Sequence, residues 1–176
     1  MLMALACTLL RPAVALAQGM ALPEFEVKAA YLLNFAKFIE WPPQAFAGKD
    51  APLVLCIVGR DQFGEALDKV DRRSVQSREF RVRRGVSAND MGGCNMVWVS
   101  YSEQRRLPQL LQAAGRLPVV TVSDIDDFAD AGGTIGLIEV DRRIRFDINL
   151  AAAQRAGLRI SSQVLRLARS VREAQQ

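Results

Sequence analysis

Asn95-Met96-Val97-Trp98-Val99, followed by a helix-patterned segment over 102–114 and then by Pro118-Val119-Val120-Thr121-Val122, reads as strand, helix, strand. The two apolar runs are short and rich in β-branched residues, which suits strands buried on both faces. Between them Leu107, Leu110 and Leu111 recur at helical spacing, Ser102 stands where a helix cap is expected, and Gly115 follows the last apolar position. A strand-helix-strand unit returns the chain in the same direction, so these two strands are expected to pair in parallel.

Working outward, the run at 53–58 is continuously apolar and ends in Gly59-Arg60-Asp61, the pattern of a central strand, followed by a turn and a short helix over 63–67. Segment 78–84 alternates instead, Phe80 and Val82 against Arg81 and Arg83, as a half-exposed or edge strand does. Segments 134–140 and 143–149 flank Asp141-Arg142 as the arms of a hairpin, which makes the sheet mixed. A small-residue helix over 151–156 ends at Gly157, and Ser161-Ser162 is expected to open a last amphipathic helix with Val164, Leu165, Ala168 and Val171 facing inward.

The first helix, opened by Pro23 and stopped by Pro42-Pro43, carries Phe25, Ala29, Leu32, Leu33, Ala36 and Ile39 on one face. Beside them Tyr31, Phe35 and Phe38 form an aromatic stripe. So much apolar circumference needs two neighbours: either the sheet and another helix, or the sheet and a second subunit. The fold class expected is α/β, a single domain with a mixed β-sheet flanked by helices on both faces.

Residues 1–17 are nearly all apolar and end in Ala15-Leu16-Ala17, a small-x-small site, so a cleaved export signal is expected there and the working domain over 18–176. No stretch reaches the ~20 apolar residues of a spanning helix. Export implies an oxidising environment. Removal of Cys7 with the leader leaves Cys56 and Cys94, read as a disulfide, with two buried free thiols as the alternative. Closing that loop stabilises by ~4 kcal/mol in the chain-entropy model.

The chain of 176 residues has no histidine, which removes the Ser-His-Asp and Cys-His nucleophile systems and imidazole metal sites. Neither catalytic residues nor a metal or other cofactor is expected. The cluster Asp124, Asp126, Asp127, Asp130 lacks the glycine and glutamate of a calcium loop, since Ala129 and Ile135 stand at those places; it reads as capping. A net charge of +4, falling to +3 without Arg11, is too weak for a nucleic-acid partner. Arginines gather in two groups. Arg72, Arg73, Arg78, Arg81, Arg83 and Arg84 read as a solvated strand edge. Around Arg142, Arg143, Arg145 and Arg155, the residues Arg145, Asn149, Arg155, Ser161 and Ser162 form a candidate corner for a carboxylate, a small anion or a partner. The alternative is that they only cap helices and pair with Asp141 and Asp147.

Glu26-Val27-Lys28-Ala29-Ala30-Tyr31-Leu32-Leu33-Asn34-Phe35-Ala36-Lys37-Phe38, Trp41-Pro42, Cys56-Ile57-Val58-Gly59-Arg60-Asp61, Val120-Thr121-Val122-Ser123-Asp124 and Arg145-Phe146-Asp147-Ile148-Asn149-Leu150-Ala151-Ala152-Ala153, continuing through Ala156-Gly157-Leu158 to Ser161-Ser162, together resemble the YfiR family of periplasmic regulators. The resemblance implies a non-enzymatic homodimer that binds the periplasmic domain of an inner-membrane diguanylate cyclase and holds it inactive. Cyclic di-GMP output and biofilm formation are then lowered, and the disulfide state reports the redox condition of the envelope. It also raises the subunit interface as the place of Tyr31, Phe35 and Phe38. Family members can carry a second cysteine pair in the later half; here any redox response rests on Cys56 and Cys94. The alternative function is a periplasmic small-ligand-binding sensor module of another signalling system.

Overall fold

Alternating burial along the central strands divides the protein into two apolar layers, one on each side of a single large sheet. The computed structural model describes residues 23–173; the expected leader over 1–17 lies outside them. The strands are β1 (Ile39–Glu40), β2 (Leu53–Val58), β3 (Ser74–Val75), β4 (Arg78–Val86), β5 (Met96–Val99), β6 (Val120–Ser123), β7 (Ile135–Val140), β8 (Arg143–Asn149), β9 (Arg159–Ile160) and β10 (Ser170–Arg172). The α-helices are α1 (Glu24–Phe38), α2 (Leu107–Ala114), α3 (Leu150–Arg155) and α4 (Ser162–Leu167).

The eight-stranded sheet runs β10-β8-β7-β6-β5-β2-β4-β3. Strands β4, β2, β5, β6 and β7 are mutually parallel, the β5–β6 pair as the strand-helix-strand reading requires, and β8 and β3 enter antiparallel. Successive side chains of a strand point to opposite faces. Leu55, Ile57, Met96, Trp98, Val120 and Val122 therefore pack with Leu32, Phe35 and Ala36 of α1 and Ala153 of α3. Cys56, Val58, Val97 and Val99 pack on the other side with Leu107, Leu110 and Ala114 of α2. Helices cover both faces of a mixed sheet, the class the sequence indicates.

The hairpin turn is tight because Asp141 and Arg142 both take left-handed backbone (φ 50° and 58°), the two-residue geometry whose twist matches the strands it joins. Val140 pairs with Arg143, which fixes the register of the whole ladder.

Several elements depart from expectation. The first helix ends at Phe38; Ile39 and Glu40 turn extended and pair with Ile160 and Arg159 in a separate two-stranded sheet. The short helix after β2 is a 3₁₀ turn, Gly64–Ala66. Ser102 caps nothing. It lies inside a 3₁₀ helix, Tyr101–Arg106, and its Oγ accepts from the Arg60 N–H, while α2 starts only at Leu107, where Pro108 is compatible with a first turn. The strand expected to be half-exposed or at an edge, β4, is half-exposed and lies one position from the edge, covered only by the two residues of β3. The last helix is cut short: Ala168 turns extended, and Ser170–Arg172 adds a strand parallel to β8. Val171 thus belongs to a strand. The ladder groups along β8 that a helix would leave open are closed by this tail, which is how an exposed edge is protected.

Candidate functional site

The N-terminal turns of α1 sit over the ends of β6 and β7, and the contact is ionic. Lys28 is 3% exposed, and its Nζ lies 2.6 Å from Asp124 Oδ2 and also bonds Glu24, one turn earlier on the helix. The same ammonium stands 4.8 Å from the centre of the Phe25 ring. A buried charge is tolerated only when paired in this way. The other Asp124 oxygen, Oδ1, is buried with no partner among the described residues. Sequence reasoning missed this cluster, although Lys28 falls on the apolar face of its helix, one turn from Leu32, and that position was the available signal.

Glu24, Lys28, Asp124, Asp126 and Glu139 line a cavity of about 260 Å³. Glu24, Glu139 and Ile144 are shared with a larger groove of about 570 Å³, completed by Val27, Tyr31, Arg142, Arg143 and Arg145. The two form one trench between α1 and the β7–β8 hairpin. Its wall is fixed at mid-length by Tyr31, whose hydroxyl donates to the Ile144 carbonyl at 3.1 Å.

The five residues of the candidate corner do not converge. Arg145 is exposed in that trench, whereas Arg155 lines a different cavity, about 350 Å³ between α2 and α3, beside Thr121 and Thr134. Asn149 is committed to the backbone: Oδ1 caps α3 by accepting from Ala152 N–H at 2.9 Å, and Nδ2 donates to Ala129 O at 2.8 Å. Ser161 caps α4 through the Gln163 N–H, and Ser162 Oγ accepts from Arg166. Asp147 pairs with Arg169 rather than with a hairpin arginine, and that hydrogen bond, with the charge behind it, holds the Arg169 guanidinium above its ordinary pKa. Asp130 pairs with Arg172 of the added strand.

The aromatic stripe divides. Phe35 is buried and meets Phe146 edge-on at 5.1 Å; Tyr31 is half-buried against both rings. These two rings pack inside the chain, because the stripe faces β8. Phe38 is 38% exposed at the end of α1, and of the three it alone offers a large free surface.

Cys56 in β2 and Cys94 just before β5 form a disulfide, their Cα atoms 5.9 Å apart across neighbouring strands. Both sulfur-bearing residues are buried in the α2-side layer. Among the described residues no helix is long and apolar enough to cross a membrane, and no three His, Cys, Asp or Glu side chains gather as a metal site would need.

The described residues define a single α/β domain built on one mixed sheet with helices on both faces. The YfiR/HmsC-like family model matches residues 25–169, nearly all of the described chain, and the protein belongs to that family, which at family level consists of periplasmic regulators of the diguanylate cyclase system. Among solved structures, a conserved domain protein from Vibrio cholerae is similar at TM-score 0.57 and 10% identity, over 85% of this chain and 60% of that one. A Streptococcus pneumoniae ABC domain in complex with L-Trp is similar at TM-score 0.55 and 12% identity, over 81% of this chain and 60% of that one. The chain spans about 60% of the length of each, and the likeness is one of fold.

Proposed function

We propose that the protein is exported to the periplasm and there binds the periplasmic domain of an inner-membrane diguanylate cyclase, holding it inactive and lowering cyclic di-GMP output. The observation that carries this reading is the family match over residues 25–169. The absence of histidine from the sequence is in keeping with an output by contact rather than by turnover. A homodimer is part of the reading, with Phe38 the aromatic candidate left for its interface. The disulfide is given a structural role: it joins two central strands inside a closed layer, where a reductant reaches it only after local opening. Deleting the gene should raise cellular cyclic di-GMP, and restoring it should lower the level again. An unchanged level with the cyclase expressed would overturn the reading.

A second reading, a small-ligand sensor, is favoured by the cavity of about 350 Å³ in which Arg155 stands beside Thr121 and Thr134. Carboxylate ligands that raise the melting temperature of the wild type and leave Arg155→Ala unmoved would support it; equal shifts in both would dismiss it.

A further inference from the structure

Some of the described arginines are answered by carboxylates, and Arg73, Arg78, Arg83 and Arg166 donate instead to backbone carbonyls or a hydroxyl. Arg81 pairs with Glu79, Arg84 with Asp61 and Asp68, Arg106 with Glu103, Arg169 with Asp147 and Arg172 with Asp130. Arg142, Arg143 and Arg145 have neither kind of partner among the described residues, as is true also of the scattered Arg60, Arg105, Arg116 and Arg155; what sets the three apart is that they stand together. All three are exposed, they stand within four residues of one another at the hairpin, and among the described residues no carboxylate lies within ion-pair distance of them, although Glu139 and Asp141 are close in sequence. At the other end of the same trench the sign reverses, with Asp124, Asp126 and Glu139 around the buried Lys28.

We propose that the trench between α1 and the β7–β8 hairpin is the docking surface for an extended segment of a partner protein, with acidic side chains of that segment on Arg142, Arg143 and Arg145 and a basic side chain at the Asp126 and Glu139 end. The identification of the partner as a cyclase rests on the function proposed above; the surface and its charge order do not.

Charge complementarity selects this occupant. A compact anion would be drawn to the guanidiniums but repelled by Glu139, which lines the same groove and has no ion-pair partner among the described residues. An anionic membrane surface would meet that repulsion along the acidic half of the trench. A polypeptide with separated charges satisfies both ends. The surface is also built in advance: the left-handed pair Asp141-Arg142 fixes the hairpin, Tyr31 ties α1 to Ile144, and Lys28 ties it to Asp124. Little ordering remains to be done on binding.

The test uses the whole exported chain and a fluorescent ten-residue peptide, blocked at both ends, with three aspartates at one end and two lysines at the other. Its control has the same composition with the charges interspersed. Anisotropy should show the segregated peptide bound about tenfold more tightly than the control, with affinity falling as salt rises and lost in R142E/R143E/R145E. The triple alanine variant should show the same loss should charge reversal disturb the hairpin, and E139K should weaken binding from the other end. Equal affinity for the two peptides, or unchanged binding by both triple variants, would overturn the proposal. So would arginine-dependent binding of phosphatidylglycerol vesicles or of inorganic phosphate without preference for the segregated peptide. None of these readouts depends on a cyclase, so failure of the gene-deletion test and failure of the docking surface remain separate results.

Discussion

Lys28 on α1 and Asp124 at the end of β6 form an ion pair of 2.6 Å, with the lysine side chain only 4% exposed. Their attraction offsets the desolvation of both groups, and removing Lys28 leaves the part-buried Asp124 carboxylate uncompensated. Lys28→Met should therefore destabilise by about 3 kcal/mol or more, a fall of roughly 10 °C in melting temperature for a chain of this size. The double variant Lys28→Met/Asp124→Leu should recover much of that loss, since a buried ion pair and a packed apolar pair are often similar in net stability. A single variant that melts with the wild type would show that the pair has no structural role.

Cys56 and Cys94 lock β2 to the entry of β5 across 38 residues of chain. The oxidised protein should show no titratable thiol in its native state. Reduction under mild denaturation, or Cys56→Ser/Cys94→Ser, should remove ~4 kcal/mol of stability and lower the melting temperature by roughly 10 °C. Repression by the serine variant at a temperature where it stays folded would support a structural role for the bond; loss of repression with folding intact would point to a redox function.

The central strands were legible because segments buried on both faces need unbroken apolar runs, as Leu53–Val58 and Met96–Val99 show. The C-terminal strand was not. Three residues, Ser170–Arg172, are too few to carry a period, and what makes them a strand is the open edge of β8, a tertiary fact. At the site, the spacing of Arg145 and Asn149 correctly places them on one side of their strand. It does not reveal that the Asn149 amide is consumed by Ala152 and Ala129. Lys28 was hidden for the opposite reason: a lysine is expected in solvent, and only the position of Asp124, far away in sequence, makes its burial tolerable.

Gly133 marks a close approach rather than a flexible joint. A Cβ there would stand 2.1 Å from the Phe128 ring, which is 1% exposed and has nowhere to move. Gly133→Ala should cost about 1–3 kcal/mol, the usual penalty of overpacking. Gly48, where an added Cβ meets nothing within 4 Å, provides the contrast, and Gly48→Ala should leave the melting temperature within a degree or two. Equal tolerance at both positions, measured by thermal denaturation, would contradict the packing around Phe128.

Phe35 and Phe38 lie one turn apart and are expected to separate folding from assembly. Phe35 is enclosed by Tyr31 and Phe146, so Phe35→Ala should lower stability by about 3–5 kcal/mol. Phe38 keeps 38% of its surface open at the end of α1, beside the Ser161 N–H that bonds its carbonyl oxygen. If that ring is a subunit contact, Phe38→Ala should shift sedimentation toward monomer, with association weakened by ~2 kcal/mol, while circular dichroism and the Cys56–Cys94 bond stay unchanged. The backbone bond to Ser161 is independent of the side chain, so the α1–α4 junction itself should survive the substitution. An unchanged sedimentation coefficient with normal folding would remove Phe38 from the interface. Any dimer would then have to use another surface, since Phe35 and Tyr31 already face Phe146 inside the chain.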